Sequence, residues 1–199
     1  HVTGCHSAMI PAVANGAKVS NNSYGGDPFS QALFNAISNA ANAGHIYVAA
    51  AGNGNFLRIG QNNDQRPFYP SSYNLNNIVS VAATDANDNL ATFSNYGATS
   101  VDLAAPGVGI LSTLRNNSYG RFDGTSMAAP HVAGAAALAL AANPIVSIAQ
   151  LRSALLAAAD HPAGLAGLSV TGRGGDTGTA GQGLVIFIQR RHPPYDLMW

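Results

Sequence analysis

The chain has 199 residues, 47% of them hydrophobic and 9% charged, where an ordinary globular domain carries about 25% charged residues. Nine basic and nine acidic residues cancel, the one basic cluster is Arg190-Arg191, and the longest apolar stretch, around 134–142, is about half the roughly 20 residues of a membrane span. A disordered solvated tail, a nucleic-acid partner and a membrane partner are excluded on these grounds, and the single Cys5 excludes an internal disulfide framework and a cysteine-based zinc site.

With 36 Ala, 22 Gly and 19 Asn, the interior is expected to be built by close approach of small side chains, with polar loops between layers. Residues 17–24 (AKVSNNSY) read as a short strand that Gly25-Gly26 interrupts. Asp27 reads as a helix N-cap with Pro28 at the first helical position. Leu33, Ile37 and Ala40/Ala41 then recur at helical spacing until Gly44, which predicts a helix over 29–43. Residues 46–51 (IYVAAA) form a continuous apolar run of the kind buried on both faces of a parallel sheet, ending at Gly52-Asn53-Gly54-Asn55. Residues 78–83 and 101–104 predict further strands, and the alternation of strand and helix implies right-handed parallel crossovers. An Ala-rich helix over 125–142 ends before Asn143-Pro144. Ser147 and Gln150 have capping-box spacing ahead of a second helix through Leu151, Leu155 and Ala158/Ala159. Residues 172–183 hold six glycines in twelve positions, too permissive for a helix or a central strand.

The chemistry is concentrated in residues 123–134, DGTSMAAPHVAG. Gly124 permits a tight turn and Ser126 falls where the turn becomes a helix, so its hydroxyl sits at a helix N-terminus whose free N–H groups favour developing negative charge. An arbitrary serine in that place is a mere cap. This string, however, resembles the serine motif of the subtilisin-like serine peptidases, the subtilases, almost letter for letter, and the likeness runs through 20–26, 48–53, 68–85, 91–113 and on to about 156. The resemblance implies a three-layer α/β/α fold with a mainly parallel sheet. It implies a secreted, monomeric serine endopeptidase acting on peptide or protein substrates through an acyl-enzyme, with no cofactor except the calcium that subtilases often bind. It gives Ser126 the role of nucleophile and Asn53, with the Ser126 N–H, that of oxyanion hole. It makes Ser23, Tyr24, Gly25 and Gly26 a strand edge that pairs with substrate, Gly25 and Gly26 leaving room for a side-chain pocket, and it adds Ala51, Gly52 and Thr125 to the substrate-binding set.

A serine nucleophile needs a histidine base and a carboxylate to orient it. His1-Val2-Thr3-Gly4 resembles the second half of the family motif His-Gly-Thr-His-Val-Ala-Gly, with His1 at its non-catalytic histidine. The triad Asp and His are therefore expected upstream of His1 and absent from this chain, which reads as a partial catalytic domain over 1–170 followed by an atypical segment over 171–199. The alternative function is a catalytically inactive remnant that at most binds peptides. Among the other histidines, His131 projects along the body of the serine-motif helix, His6 and His45 have no motif around them, and His161 and His192 lie in Pro-containing segments. Asp176-Thr177-Gly178 imitates an aspartate motif but follows Arg173-Gly174-Gly175 and no apolar strand. Only fifteen residues separate Gly4 from Ser20, where the family fits a helix, a strand and another helix, and Cys5 to Asn15 is too short to replace them. Asp85 resembles a position at a weak cation site with carbonyls of 68–71 nearby, although a surface Asx-turn is the plainer reading. No metal site is assigned. A small-molecule binder would need a phosphate loop or cofactor fingerprint, and neither is present.

Overall fold

The computed structural model describes residues 3–159 and 165; the expected boundary at 170, the glycine-rich segment, His161, Asp176 and His192 lie outside them. In chain order the elements are α1 (Thr3–Ala14), β1 (Val19–Asn22), α2 (Gln31–Asn42), β2 (Ile46–Ala50), β3 (Ile78–Thr84), β4 (Leu103–Pro106), β5 (Ile110–Leu114), β6 (Ser118–Phe122), α3 (Thr125–Ala142) and α4 (Ile148–Ala157). Strands β1 to β4 form one parallel sheet in that order, in register Val19 with Ile46, Tyr47 with Ile78 and Val81 with Leu103.

Every residue of β2 and β3 is buried, because side chains alternate across a strand and both faces are covered. On one face Val48, Ala50, Val79, Val81 and Leu103 meet Ala128, Val132 and Ala136 of α3 and Leu151 and Leu155 of α4. On the other, Tyr47, Ala49 and Ile78 meet Leu33, Ile37 and Ala40 of α2, with Met9 of α1 behind them. The result is the three-layer α/β/α arrangement expected. By length and composition alone α3 is apolar enough to cross a membrane, so the run read as 134–142 is half of a longer apolar helix. Its buried residues Ala128, Ala129, Val132, Ala133 and Ala136 have their partners in the cluster on the sheet.

Three local expectations change. The cap of α2 is Ser30, not Asp27: its hydroxyl accepts from Leu33 N at 3.4 Å, and Asp27-Pro28 precedes the helix as a cis peptide. Ser30 is fixed from outside, because Tyr73 OH accepts from Ser30 N at 3.1 Å and donates to Ser30 O at 2.9 Å. Helix α1 was unassigned in sequence; Met9 and Val13, one turn apart, pack it on α2 despite the interior Pro11. The antiparallel β5–β6 hairpin was also unread. It is mostly exposed and reverses where Asn116 and Asn117 take φ of 64° and 53°, which Asn tolerates better than most residues. Among the described residues β1 pairs with β2 alone and is the sheet edge.

Candidate active site

Helix α3 opens with Gly124 as a cap that makes no side-chain hydrogen bond, so Ser126 is its second residue and not its cap. Four residues later comes Pro130, which has no N–H to return to the Ser126 carbonyl. That carbonyl instead accepts from Ser23 Oγ at 2.8 Å, and Ser126 Oγ donates to Ser23 O at 3.2 Å. The proline thus frees a backbone acceptor that ties the serine turn to the segment after β1, two regions 103 residues apart in sequence.

Asn53 stands across from Ser126. Its Oδ1 accepts from Thr125 N at 2.8 Å and from Thr125 Oγ1 at 3.0 Å. Since a backbone N–H only donates, the amide is oriented with Oδ1 toward Thr125 and its two Nδ2 protons elsewhere. A β-carbon placed on Gly124 would lie 3.5 Å from Asn53 Nδ2 and 3.6 Å from Ser126 N. The two donors expected to form the oxyanion hole therefore flank one small space beside Gly124, with Met127 Sδ at 3.5 Å on the same point. Preorganised donors beside a nucleophile are what acyl transfer demands of a site.

Ala51, Gly52 and Thr125, expected among the substrate contacts, belong to the frame behind this hole. Ala51 N donates to Val81 O at 2.9 Å and its carbonyl accepts from Asn63 Nδ2 at 2.8 Å. Gly52 N donates to Thr125 Oγ1 at 3.2 Å, and its carbonyl accepts from Asn95 N at 2.9 Å. Thr125 is fully buried, its hydroxyl spent between Gly52 and Asn53. Two residues that sequence reasoning missed, Asn63 and Asn95, complete the frame. Asn95 Oδ1 accepts from Gly54 N at 2.9 Å and Gln61 N at 3.0 Å, while its Nδ2 donates to Asn63 Oδ1 at 2.9 Å. Asn in a loop is a common turn signal, and only a buried Asn pair distinguishes these two from the other seventeen.

Within the segment expected as an edge, Ser23 to Gly26, the backbone is open at Gly25. Gly25 is exposed and neither of its backbone groups is paired among the described residues, whereas Gly26 N and O bond Tyr69 O and N at 2.8 and 3.1 Å. An open backbone in the segment tied to Ser126 suits strand addition by a peptide.

Among the described residues no imidazole bonds Ser126 Oγ. His131 Nδ1 lies 2.8 Å from Met127 O, one turn back on its own helix. His45, fully buried, lies with Nδ1 2.8 Å from Ala17 O and Nε2 2.8 Å from Ser20 Oγ, a pattern a neutral ring satisfies. Burial lowers its pKa below the ordinary 6.5, with Lys18 adding to the effect and the Ala17 carbonyl opposing it. An unfolded chain then takes a proton that the folded one refuses, so this contribution is complete above about pH 6.5 and is lost as pH falls below it toward the folded pKa. His45→Gln is expected to flatten that part of the stability–pH curve in urea unfolding; an unchanged slope below pH 6.5 would contradict it.

Asp85 is an Asx-turn: Oδ1 accepts from Asn87 N and Asn89 N at 2.8 and 3.0 Å. The little desolvation it suffers raises its pKa, but these bonds and one from the Asn89 side chain outweigh that and lower it. The carboxylate is turned to its own loop, and no group of three or more His, Cys, Asp or Glu placed to hold a metal occurs among the described residues.

Comparison with known proteins agrees with this geometry. Residues 3–183 match the subtilase family, peptidase S8. The chain is 49% identical over 131 residues to a thermophilic serine proteinase of Bacillus sp. (strain AK1), covering 66% of this chain and 30% of that one. It is 41% identical over 164 residues to subtilisin DY of Bacillus licheniformis, covering 80% and 57%. A cold-adapted subtilisin-like serine proteinase of solved structure superposes with a TM-score of 0.73 at 31% identity, over 95% of this chain and 63% of that one. The chain thus spans between 30% and 63% of the length of these three.

Proposed function

The chain belongs to the subtilase family, and from that premise we propose that it carries the nucleophile, oxyanion hole and peptide-binding edge of a secreted serine endopeptidase. The observation that carries the reading is the convergence of Asn53 Nδ2 and Ser126 N on the space at Gly124, next to Ser126. In the proposed reaction a peptide lies along Ser23 to Gly26, Ser126 Oγ attacks its carbonyl, and the two N–H donors hold the oxyanion. The amine leaves with the proton that came from Ser126, and water then releases the acyl group. An imidazole must carry that proton, and we propose that it comes from outside the described residues.

A second reading is favoured by one observation, the donation of Ser126 Oγ to the Ser23 carbonyl with no imidazole bonded to it among the described residues. On that reading the chain by itself binds peptides and does not cleave them. A fluorophosphonate probe separates the two, with Ser126→Ala as control and intact mass as readout. An adduct on Ser126 supports the peptidase reading for the chain as it stands and overturns the second. A folded chain that stays unmodified, under conditions that label a known subtilisin, supports the second and assigns the missing base to another segment.

A further inference from the structure

Two Asn-Gly pairs occur in the chain, Asn15-Gly16 and Asn53-Gly54. A glycine nitrogen has no side chain beside it, so after an asparagine it reaches back to the side-chain carbonyl carbon with little hindrance. At Asn53 the pairing is imposed from two directions. The oxyanion hole calls for the asparagine. Gly54 has φ of 74°, and a β-carbon on it would meet Ile59 O at 2.2 Å and Ile59 C at 2.4 Å, so a side chain there is excluded by conformation and by space.

The bonds around Asn53 divide into two that favour attack on its side chain and one that opposes it. Thr125 N and Oγ1 both donate to Asn53 Oδ1, at 2.8 and 3.0 Å, which polarises the carbonyl and stabilises negative charge developing on its oxygen. Against this, Gly54 N, the attacking atom, donates to the buried Asn95 Oδ1 at 2.9 Å and so keeps its proton and its place. The loop beyond closes on itself, with Asn55 N donating to Ile59 O at 3.0 Å and Asn55 Oδ1 accepting from Leu57 N and Ile59 N at 2.9 and 3.3 Å. Its outer ties after Gly54 are Gly60 N to Thr92 O at 2.9 Å and the exposed Arg58, which reaches Asp123 O at 3.4 Å and the Phe93 ring. Phe56, Leu57 and Ile59 are already 92%, 63% and 56% exposed, so lifting the loop off Asn95 uncovers little further apolar surface and needs only a local opening.

We propose that Asn53 is a site of spontaneous deamidation and that Asn95 sets its rate by holding Gly54 N. When the loop opens, Gly54 N bonds to Asn53 Cγ and the Cγ–Nδ2 bond breaks. The proton from Gly54 N passes through water to Nδ2, which leaves as ammonia, and a cyclic imide remains. Water then opens either imide carbonyl, giving Asp or isoaspartate. Both products replace the Nδ2 donor by a carboxylate oxygen. The Asp product still accepts from Thr125 N and Oγ1, so the fold survives while the hole loses a donor and gains a negative charge where the oxyanion forms. That consequence rests on the proposed peptidase site; the modification itself does not.

The test reads mass and needs no catalysis. The chain is held at mildly alkaline pH, sampled and digested, and deamidation is followed peptide by peptide, with Asn15-Gly16, exposed just beyond α1, as the internal clock. In urea the two sites are expected to react alike, and in the native parent Asn53 is expected to lag Asn15 by at least about tenfold. Asn95→Ala should speed Asn53 by about tenfold and leave Asn15 unchanged, whereas Asn95→Asp, which keeps an acceptor for Gly54 N, should leave Asn53 slow. Equal rates at Asn53 and Asn15 in the native parent overturn the role of Asn95, as does equal acceleration in both variants, which reports a general loss of stability. No reaction at Asn53 in urea overturns the site itself. If Asn95→Ala does not fold, the native and urea rates of the parent decide. None of these outcomes depends on Ser126 reacting, so they stand apart from the fluorophosphonate result.

Discussion

Replacing Arg152 by alanine is expected to cost the fold about 3–5 kcal/mol. Arg152 reaches down from α4 and donates from Nη2 to Asp102 Oδ1 at 2.6 Å, and from Nε to Ile78 O at 3.3 Å. Asp102 has no exposed side-chain surface and Arg152 only 5%, so truncation leaves a carboxylate in the interior without its counter-charge. A domain of this size has only about 5–15 kcal/mol in hand, so the loss is a large fraction of the total. Arg152→Met with Asp102→Leu removes both charges, and replacing a buried pair by apolar groups is often close to neutral. Here the double variant should recover only part of the loss, because Ser80 N donates to Asp102 Oδ2 at 2.7 Å and would be left unpaired at about 1–3 kcal/mol. Urea unfolding of the three proteins measures this. A single variant within about 1 kcal/mol of the parent would show that the pair holds α4 to the sheet only loosely.

That ion pair also marks where sequence stops being sufficient. The buried strands were legible because β2 and β3 are apolar at nearly every position, and α3 because a turn signal precedes a long Ala-rich run. The expectations for Ser126 and Asn53 rest on a twelve-residue string and a strand end, signals local in sequence. Asp102 with Arg152, Asn63 with Asn95, and Phe68 against Gly25 and Gly52 are contacts between residues 16 to 50 apart in sequence. No periodicity encodes them. The Ser30 cap was missed for the same reason: Asp27-Pro28 has the better local signal, and the choice is made by Tyr73, 43 residues away. Ala51, Gly52 and Thr125, which the resemblance places among the substrate contacts, also carry frame bonds to Val81, Asn63, Asn95 and Asn53, which a short turn signal does not encode.

The second large effect is expected at Asn95, which is 2% exposed. In Asn95→Ala, Gly54 N and Gln61 N lose their acceptor and Asn63 Oδ1 its donor. Each buried polar group left unpaired costs about 1–3 kcal/mol, and water entering the vacated space offsets part of that, so a loss of about 3 kcal/mol is expected. Asn95→Asp keeps both acceptor bonds and turns an oxygen toward Asn63 Oδ1, so it should be destabilised as well, with the damage at Asn63. The damage is local because Asn95 Oδ1 holds Gly54, the residue after Asn53, while the Gly52 carbonyl keeps its bond from the Asn95 backbone N–H in either variant. A loosened turn lets Nδ2 leave the space at Gly124 that it shares with Ser126 N. The loss of about 10²–10³ in kcat on removing such an asparagine is a value borrowed from subtilisin, a member of this family. Amide hydrogen exchange distinguishes local from global damage: in Asn95→Ala, protection at Gly54 should fall well below that of β2 and β3. If Gly54 still opens only with the whole sheet, Asn95 contributes stability alone and has no part in holding the oxyanion hole.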